Sequence, residues 1–276
     1  MNHQNKIILF LSLPLTALVT YISLVGLLTP NFYSLEKLNW QTQSMGQDMI
    51  DLFLIVPSLF ITSVLAYRNN KTAKMIWGGV VLYLTYTFVL YCFDLHFNKL
   101  FVLYCFSLGL SFYSIVNILL TSYKENNERF EKSFMTRFIG IYFIIIAALF
   151  YFLWLSEIIP SIIQNTILKS VTDAGLFTNG VHIIDLAIIL PAIFITGIFL
   201  LKRISLGLIL TPIILTFFIL MDLSIGILVV LMNSKGVGGD LMISIIMGLL
   251  ALVSLFFLIW YFRCIETKTN IQQYTV

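Results

Sequence analysis

The sequence predicts an all-α integral membrane protein with eight transmembrane helices, and three observations lead to this fold class. Apolar residues make up 59% of the chain and charged residues only 11%, against roughly 25% charged residues in an ordinary soluble domain. Apolar runs recur along the whole chain, with lengths close to the about 20 residues that cross a bilayer as one helix. A polar and apolar motif of the first half also recurs in the second half.

The apolar runs give the predicted spans in chain order. They cover residues 7–28, 49–67, 75–93, 100–121, 138–158, 183–201, 206–231 and 241–262. The first run is longer than the apolar part of a signal peptide and no small-residue cleavage site follows it, so we interpret it as a membrane helix. Two connections are long, 29–48 and 159–182, whereas the sixth and seventh runs almost merge at Lys202-Arg203.

The distribution of Lys and Arg predicts the orientation of the chain. If the N-terminus is inside, twelve of the sixteen basic residues fall on the inner side and four, one in each loop, on the outer side. This asymmetry predicts that both termini are cytoplasmic. The chain has no large loops and no glycosylation sequon on the predicted outer side, since Asn70-Lys71-Thr72 would lie on the inner side. These absences predict a multi-pass protein of a prokaryotic cell (plasma) membrane.

An internal repeat predicts two similar halves. Asp51-Leu52-x-x-Ile55-x-Pro57 recurs as Asp185-Leu186-x-x-Ile189-x-Pro191, and Phe-Ile-Thr follows each copy at the same spacing. We predict a first four-helix repeat at 1–122, a cytoplasmic connector at 123–136 and a second four-helix repeat at 137–276. Because four is an even number, the two repeats would run parallel, related by an axis along the membrane normal.

Pro57 and Pro191 lie inside the second and sixth predicted spans. A proline removes one backbone hydrogen bond and is expected to kink the helix. In lipid the freed carbonyl needs another partner, so each kink should face protein or a wet cavity. The alternative is that the paired kinks only shape the bundle.

Seven ionisable residues are predicted to converge near the outer membrane face. They are Asp48, Asp51, Asp94, His96, His182, Asp185 and Asp222. Charged groups inside a membrane cost about 2.5–3.5 kcal/mol even on the most lenient scale, so they are functional candidates. We predict a polar site that binds a small solute, a proton or a cation.

A structural interpretation of the same residues stays open. Asp51 and Asp185 are predicted to lie in the first turns of their helices, where a carboxylate caps free N–H groups and interacts well with the helix dipole. Asp94 and Asp222 are predicted at C-terminal ends of helices, where the dipole disfavours an anion. They would need solvent, a cationic partner or a site.

The sequence contains few signs of other chemistry. Carboxylate and imidazole together suit a divalent transition metal, but no His-x-x-x-His pair or clustered Cys favours a dedicated metal site, and the sequence leaves the metal and any cofactor unknown. A P-loop, a Gly-x-Ser-x-Gly elbow and a His-Glu-x-x-His motif are absent, which argues against common enzyme classes. The small, dispersed net charge of +3 does not predict a nucleic-acid partner, and no protein partner is predicted.

One stretch of the chain resembles a known group of proteins. Tyr86, Phe97-Asn98-x-Leu100-Phe101, Tyr104 and Ser107-Leu108 are similar to a pattern in uncharacterised polytopic membrane proteins of bacteria and archaea. The Asp-to-Pro motif of the second span extends this resemblance. It implies an eight-helix membrane fold and brings no assigned reaction.

Three functions are compatible with the sequence. The first is a carrier or permease-like protein, which predicts a cavity reaching mid-membrane along Pro57 and Pro191. The second is a non-transporting module, such as a sensor or an accessory subunit, which predicts a packed interior. The third and less favoured is a lipid-acting enzyme, which predicts carboxylates within hydrogen-bonding reach of His182.

Overall fold

The computed structural model describes residues 3–125 and 134–274, and all regular structure in these ranges is helical. The helices are α1 (His3–Leu28), α2 (Leu38–Ile50), α3 (Val56–Tyr67), α4 (Lys71–Phe93), α5 (Phe101–Glu125), α6 (Phe134–Gln164), α7 (Lys169–Ala174), α8 (Gly180–Ile184), α9 (Leu190–Lys202), α10 (Ser205–Ser234) and α11 (Leu241–Tyr274). A π-helical turn, Asp51–Ile55, joins α2 to α3, and a second, Asp185–Ile189, joins α8 to α9.

Within the described residues, eight helical segments are long and apolar enough to cross a membrane, which confirms the predicted number. Spans 1 to 8 are Lys6–Leu28, Leu38–Tyr67, Lys71–Phe93, Phe101–Tyr123, Phe134–Gln164, Gly180–Lys202, Ser205–Ser234 and Leu241–Cys264. Spans 2 and 6 each run through a π-helical turn. A protein of this kind contacts lipid over its outer surface.

Consecutive spans joined by short connections run antiparallel, so spans 1, 3, 5 and 7 finish at one end of the bundle. We call this the far end, because the described start of α1 and end of α11 lie at the other end. The far end carries the connections 29–37, 94–100, 165–179 and 235–240.

The two long connections predicted from hydropathy are wrong in their extent. Span 2 begins at Leu38 rather than at residue 49, and α6 continues to Gln164 with α7 following inside the predicted loop 159–182. For span 2 the reason is its composition, since residues 38–50 are rich in Gln, Ser, Thr and Asn. Hydropathy alone does not detect a helix whose polar side chains face the protein interior.

The tight hairpin predicted near Lys202 has the expected form. Helix α9 ends at Lys202, Arg203 adopts the left-handed conformation with φ 62°, and α10 begins at Ser205. The predicted connector 123–136 is described only at its edges, because residues 126–133 lie outside the described residues. All three cysteines, Cys92, Cys105 and Cys264, are free.

We call spans 1–4 the first group and spans 5–8 the second group. In the first group α1 contacts α2, α3 and α5, and α4 contacts α3 and α5; in the second group α6 contacts α9 and α11, and α10 contacts α9 and α11. The groups meet where α4 packs against α10 and α8, and where α2 packs against α10. Spans 3 and 7 are therefore central, with 61% of the residues in their 18-residue apolar window buried, whereas span 8 is peripheral with 17%.

Glycines allow the closest helix contacts in the bundle. A Cβ atom at Gly79 on α4 would lie 2.7 Å from the carbonyl oxygen of Ile213 on α10. On α6 and α9, a Cβ atom at Gly140 would lie 3.0 Å from the carbonyl oxygen of Gly197, and one at Gly197 would lie 2.8 Å from that of Gly140. Small residues at such crossings strengthen helix association in lipid, where no hydrophobic effect drives it.

Each π-helical turn ends beside one of the two prolines. The N–H of Val56 donates to the carbonyl of Asp51, and the N–H of Leu190 donates to that of Asp185, five residues back in each case. The next donor in this pattern would be Pro57 or Pro191, which has no N–H. The departure from α-helical geometry at these prolines is therefore a π-helical turn.

The second π-helical turn shows how a carbonyl freed by proline finds a partner. The carbonyl of Leu186 lies five residues before Pro191, and it accepts a hydrogen bond from the hydroxyl of Tyr151 on α6 (3.1 Å). In lipid such a partner is required, since no water is available.

Changing Tyr151→Phe should lower the free energy of unfolding by about 1 kcal/mol, because the Leu186 carbonyl loses its donor at membrane depth. The measurement is thermal unfolding of purified protein in detergent. The matched control is Tyr21→Phe, since the Tyr21 side chain on α1 is 54% exposed. Equal unfolding midpoints for the two variants would contradict this assignment.

Candidate functional site

The seven predicted residues lie in three separate surroundings at or near the far end. Asp48 and Asp51 are buried on span 2 and do not line the cavity described below, Asp94 and His96 lie in the connection after α4, and His182, Asp185 and Asp222 line that cavity. The structure therefore brings together three of the seven predicted residues.

Asp48 lies on α2 and is completely buried. Its Oδ2 accepts a hydrogen bond from the hydroxyl of Tyr33 (2.7 Å), and its Oδ1 accepts one from the hydroxyl of Tyr91 (2.8 Å). Burial, and secondarily the Asp48 carboxylate, raise the pKa of Tyr33 well above its usual range, so this phenol remains a donor. Asp48 is thus fixed between two tyrosines and does not line the cavity.

Asp51 lies one turn further along the same span. Its Oδ1 accepts a hydrogen bond from the amide Nε2 of Gln47 (2.9 Å), which also lies 2.7 Å from the hydroxyl of Tyr83. That hydroxyl is in turn 2.7 Å from the hydroxyl of Ser224 on α10. Asp51 therefore belongs to a hydrogen-bonded chain that joins the two groups of spans.

Asp94 joins the two groups directly. Its Oδ2 accepts the N–H of Gly180 at the start of α8 (3.0 Å), and its backbone carbonyl accepts the indole N–H of Trp40 on α2 (3.0 Å). A Cβ atom at position 180 would overlap this carboxylate, so glycine allows Asp94 to reach the backbone N–H in this position. Burial raises the pKa of Asp94 to about 6, and the Gly180 hydrogen bond opposes that rise.

The helix-cap interpretation of Asp51 and Asp185 is wrong. Asp51 lies well inside span 2, which begins at Leu38, and span 6 is capped by Asn179, whose Oδ1 accepts the N–H groups of Val181 (3.0 Å) and His182 (3.3 Å). The carboxylate that accepts an N–H at the start of span 6 is that of Asp94, which follows span 3 and accepts the N–H of Gly180. Sequence reasoning missed it because the contact spans 86 residues.

His96 is paired with a residue that the sequence analysis did not select. Its Nδ1 lies 2.9 Å from Oε2 of Glu36, and its backbone N–H donates to Oε1 of Glu36 (2.8 Å). The imidazole is half exposed and the carboxylate is buried. This pair ties the connection after α1 to the connection after α4, outside the cavity.

A cavity of about 460 Å³ opens between the two groups of spans at the far end. Helices α2 and α4 form one wall, α6, the α8–α9 span and α10 form the other, and α7 lies beside the mouth. The cavity reaches Ile193, which is about 20 Å along the helix from Gly180 at 1.5 Å per residue. That depth is more than half the thickness of a hydrocarbon core of about 30 Å, and neither Pro57 nor Pro191 is among the residues that line the cavity.

Two of the cavity residues, His182 and Asp185, share Trp154 on α6. The indole N–H of Trp154 donates to Oδ2 of Asp185 (2.9 Å), and its ring lies 4.5 Å from the ring of His182, centroid to centroid. Nε2 of His182 is 3.9 Å from Oε2 of Glu157, which is too long for a hydrogen bond. Nδ1 of His182 is buried and has no partner among the described residues.

Asp222 has a different position from the one predicted. It was expected at the C-terminal end of its helix, but α10 continues to Ser234, about 18 Å further at 1.5 Å per residue. Its side chain is only 8% exposed and lines the cavity. Among the described residues, no group hydrogen-bonds to it.

The described residues contain no group of three or more His, Cys, Asp and Glu side chains that could hold a metal ion. No protein family, curated protein or solved structure matches the chain. The resemblance noted around Tyr86 and residues 97–108 stays a prediction. The functional argument therefore depends on the geometry of the cavity.

Changing Gly26→Ala should destabilise the protein by about 2 kcal/mol, because overpacking a tight site typically costs that much. A methyl group there would overlap the Asp48 carboxylate and lie 2.8 Å from the hydroxyl of Tyr33. Thermal unfolding in detergent measures the effect. Gly109→Ala is the control, since no atom lies within 4 Å of its Cβ position and alanine favours helix; a loss of stability as large in the control would contradict the prediction.

Changing Asp94→Asn should flatten the pH dependence of stability between pH 4 and 7. The pKa of Asp94 is about 6 in the folded protein against about 3.9 in an unfolded chain. The folded state therefore binds the proton more tightly, and this stabilisation is complete below about pH 4 and lost as pH rises through 6. Asparagine keeps an acceptor for the Gly180 N–H but does not titrate.

The measurement is the unfolding midpoint of wild type and variant at several pH values. The midpoint of wild type relative to D94N should fall as the pH rises. Asp240→Asn, at an exposed carboxylate of the last far-end connection, controls for a general charge effect. A constant difference between wild type and D94N at all pH values would contradict the role of Asp94.

Proposed function

We propose that this chain is a carrier or permease-like membrane protein whose substrate site is the cavity between the two groups of spans. The observation that carries the proposal is the depth of the cavity: it opens at the far end and extends about 20 Å along span 6 to Ile193, a depth that in our proposal takes it past the membrane midplane. A site that passes the membrane midplane needs only a change at its closed end to open to the other side.

The proposal includes two parallel four-helix repeats, residues 1–122 and 137–276, joined by the connector 123–136. The packing supports it. In the first group, spans 1 and 3 each contact spans 2 and 4. In the second group, the equivalent spans 5 and 7 each contact spans 6 and 8. Between the groups, the contact of span 2 with span 7 is matched by that of span 3 with span 6. A twofold axis between spans 3 and 7 would relate all these pairs.

The two π-helical turns also support the repeat. Each begins at the aspartate of the repeated motif and ends two residues before its proline, at Asp51–Ile55 and Asp185–Ile189. The equivalent aspartates have different partners, however. Asp51 is buried and accepts a hydrogen bond from Gln47, whereas Asp185 lines the cavity. We propose that the first copy has become structural and that the second copy binds substrate.

In the proposed orientation the far end faces the outside of a prokaryotic plasma membrane and both termini are cytoplasmic. The split of twelve basic residues to four supports this. The cavity would then collect its substrate from the outside. We assign substrate binding to His182, Asp185 and Asp222, with Asp48, Asp51, Asp94 and His96 positioning the far-end connections.

The alternatives have less support. A sensor or accessory module predicted a packed interior, and a cavity of about 460 Å³ favours a carrier over it. A lipid-acting enzyme predicted a carboxylate within hydrogen-bonding reach of His182, whereas Glu157 lies 3.9 Å away and Asp185 is engaged by Trp154. The arrangement lacks an acid–base pair of the expected geometry.

Alternating access can be tested by labelling a cysteine from both sides of the membrane. In a chain whose three cysteines are replaced by alanine, Met221→Cys places a thiol on the cavity wall. A carrier should expose it to a membrane-impermeant maleimide from the outside in right-side-out vesicles and from the inside in inverted vesicles. The control is Leu223→Cys, two residues further along α10, which is exposed but does not line the cavity.

The control thiol would face lipid and should react from neither side. Reaction of the Met221→Cys thiol from one side only would contradict a carrier and favour a module. A membrane-impermeant reagent on tags at the two termini tests the orientation separately. Labelling of both tags only in inverted vesicles is the expected result.

A further inference from the structure

We infer that the cavity binds a small organic cation: a protonated amine with an aromatic or branched apolar body. The inference deepens the proposed function and rests on it for the claim that the ligand is transported. The binding claim itself depends on three features of the cavity, namely its charge, one carboxylate without a partner, and its aromatic walls.

The cavity has a one-sided charge. Apart from tyrosines, the ionisable side chains among its described lining residues are four carboxylic acids and one imidazole: Glu157, Asp173, Asp185, Asp222 and His182. No Lys or Arg is among those lining residues. Lys37 packs beside α7 but does not line the cavity, and its Nζ donates a hydrogen bond to the carbonyl of Thr172 (2.6 Å). A site of this composition attracts cations and repels anions.

Asp222 is a buried carboxylate on the cavity wall that lacks a hydrogen-bond donor. It is more than nine-tenths buried, it lies on the cavity wall, and no described residue donates a hydrogen bond to it. The other buried aspartates of the protein have donors: Asp48 has two tyrosines and Asp94 has the Gly180 N–H. A buried carboxylate without a donor is costly, and an ammonium group supplies both N–H donors and a positive charge.

The walls indicate what the rest of the ligand looks like. Eight Phe, Tyr and Trp side chains from both groups of spans line the cavity: Trp40, Tyr86, Tyr91, Tyr142, Phe150, Trp154, Phe217 and Phe218. Aromatic faces attract an organic cation and pack against its apolar part. The volume of about 460 Å³ lies within the range of about 300–1,000 Å³ typical of small-molecule sites.

These features disfavour the other classes of ligand. A bare metal ion needs several oxygen or nitrogen ligands around one point, and the described residues contain no such group. An anion would meet four carboxylic acids without a basic residue. A neutral apolar solute would leave Asp222 without a donor.

The test uses three probes of similar shape and different charge on purified protein in detergent: 2-phenylethylamine, 2-phenylethanol and phenylacetate. At pH 7 the first is a cation, the second is neutral and the third is an anion. We expect the amine to raise the unfolding temperature in a saturable way, and the alcohol and the acid to have no comparable effect. Stabilisation by phenylacetate equal to that by the amine would overturn the inference.

Asp222→Asn removes the charge at constant shape and should weaken amine binding at least tenfold, measured by isothermal titration. Asp240→Asn removes an exposed carboxylate outside the cavity and should leave the affinity unchanged. Equal affinity of wild type and D222N would overturn the role of Asp222. If D222N does not purify as a folded protein, the comparison of the three probes on wild type decides the question.

The two proposals fail separately. Amine binding together with one-sided labelling of the Met221→Cys thiol would refute the carrier and leave the cation site standing. Two-sided labelling without amine binding would refute the cation site and leave the carrier standing.

Discussion

A buried carboxylate inside a bilayer requires a donor, because no water is present to hydrate it. The far end of this protein is organised around that requirement. Asp48 is held by two phenols and Asp51 by Gln47, while Asp94 closes the start of span 6 through the Gly180 N–H. The Asp94 bond and the chain from Gln47 through Tyr83 to Ser224 join the two groups. The Asp48 bonds join α2 to α4 and to the connection after α1. Together these bonds hold the walls of the cavity while they satisfy the charges. Asp222 is the buried aspartate that this network leaves open.

The backbone makes room for this arrangement. Gly26 lets α1 approach the Asp48 carboxylate, Gly180 lets Asp94 reach a backbone N–H, and Gly79 lets the central helices α4 and α10 pack at close range. Just before each proline the chain forms a π-helical turn. At the second one the Tyr151 hydroxyl donates a hydrogen bond to the Leu186 carbonyl, in place of the N–H that Pro191 lacks. π-Helical turns inside α-helices occur often at functional sites, and here the second one begins at Asp185, which faces the cavity.

Much of the fold could be predicted from the sequence, because a bilayer demands continuous apolar segments of a set length. The start of span 2 at Leu38 could not, since its first residues are polar and turn toward protein. The ionisable residues were easy to select because they are rare in apolar segments. Their partners were not, because Tyr33, Tyr91 and Trp154 are ordinary residues in a chain with 13 Tyr and 4 Trp. A single sequence carries no signal for contacts such as that of Asp94 with Gly180, 86 residues apart.

The most direct test of the account is a distance measurement across the mouth of the cavity by pulsed electron paramagnetic resonance. Spin labels at Leu35 and Phe177, both exposed on far-end connections of different span groups, report the separation of the two groups in nanodiscs. A carrier predicts two populated distances, whose ratio changes when 2-phenylethylamine is added, because a ligand shifts the balance between pre-existing states that bind it differently. A single distance that stays the same with and without the amine would contradict the account.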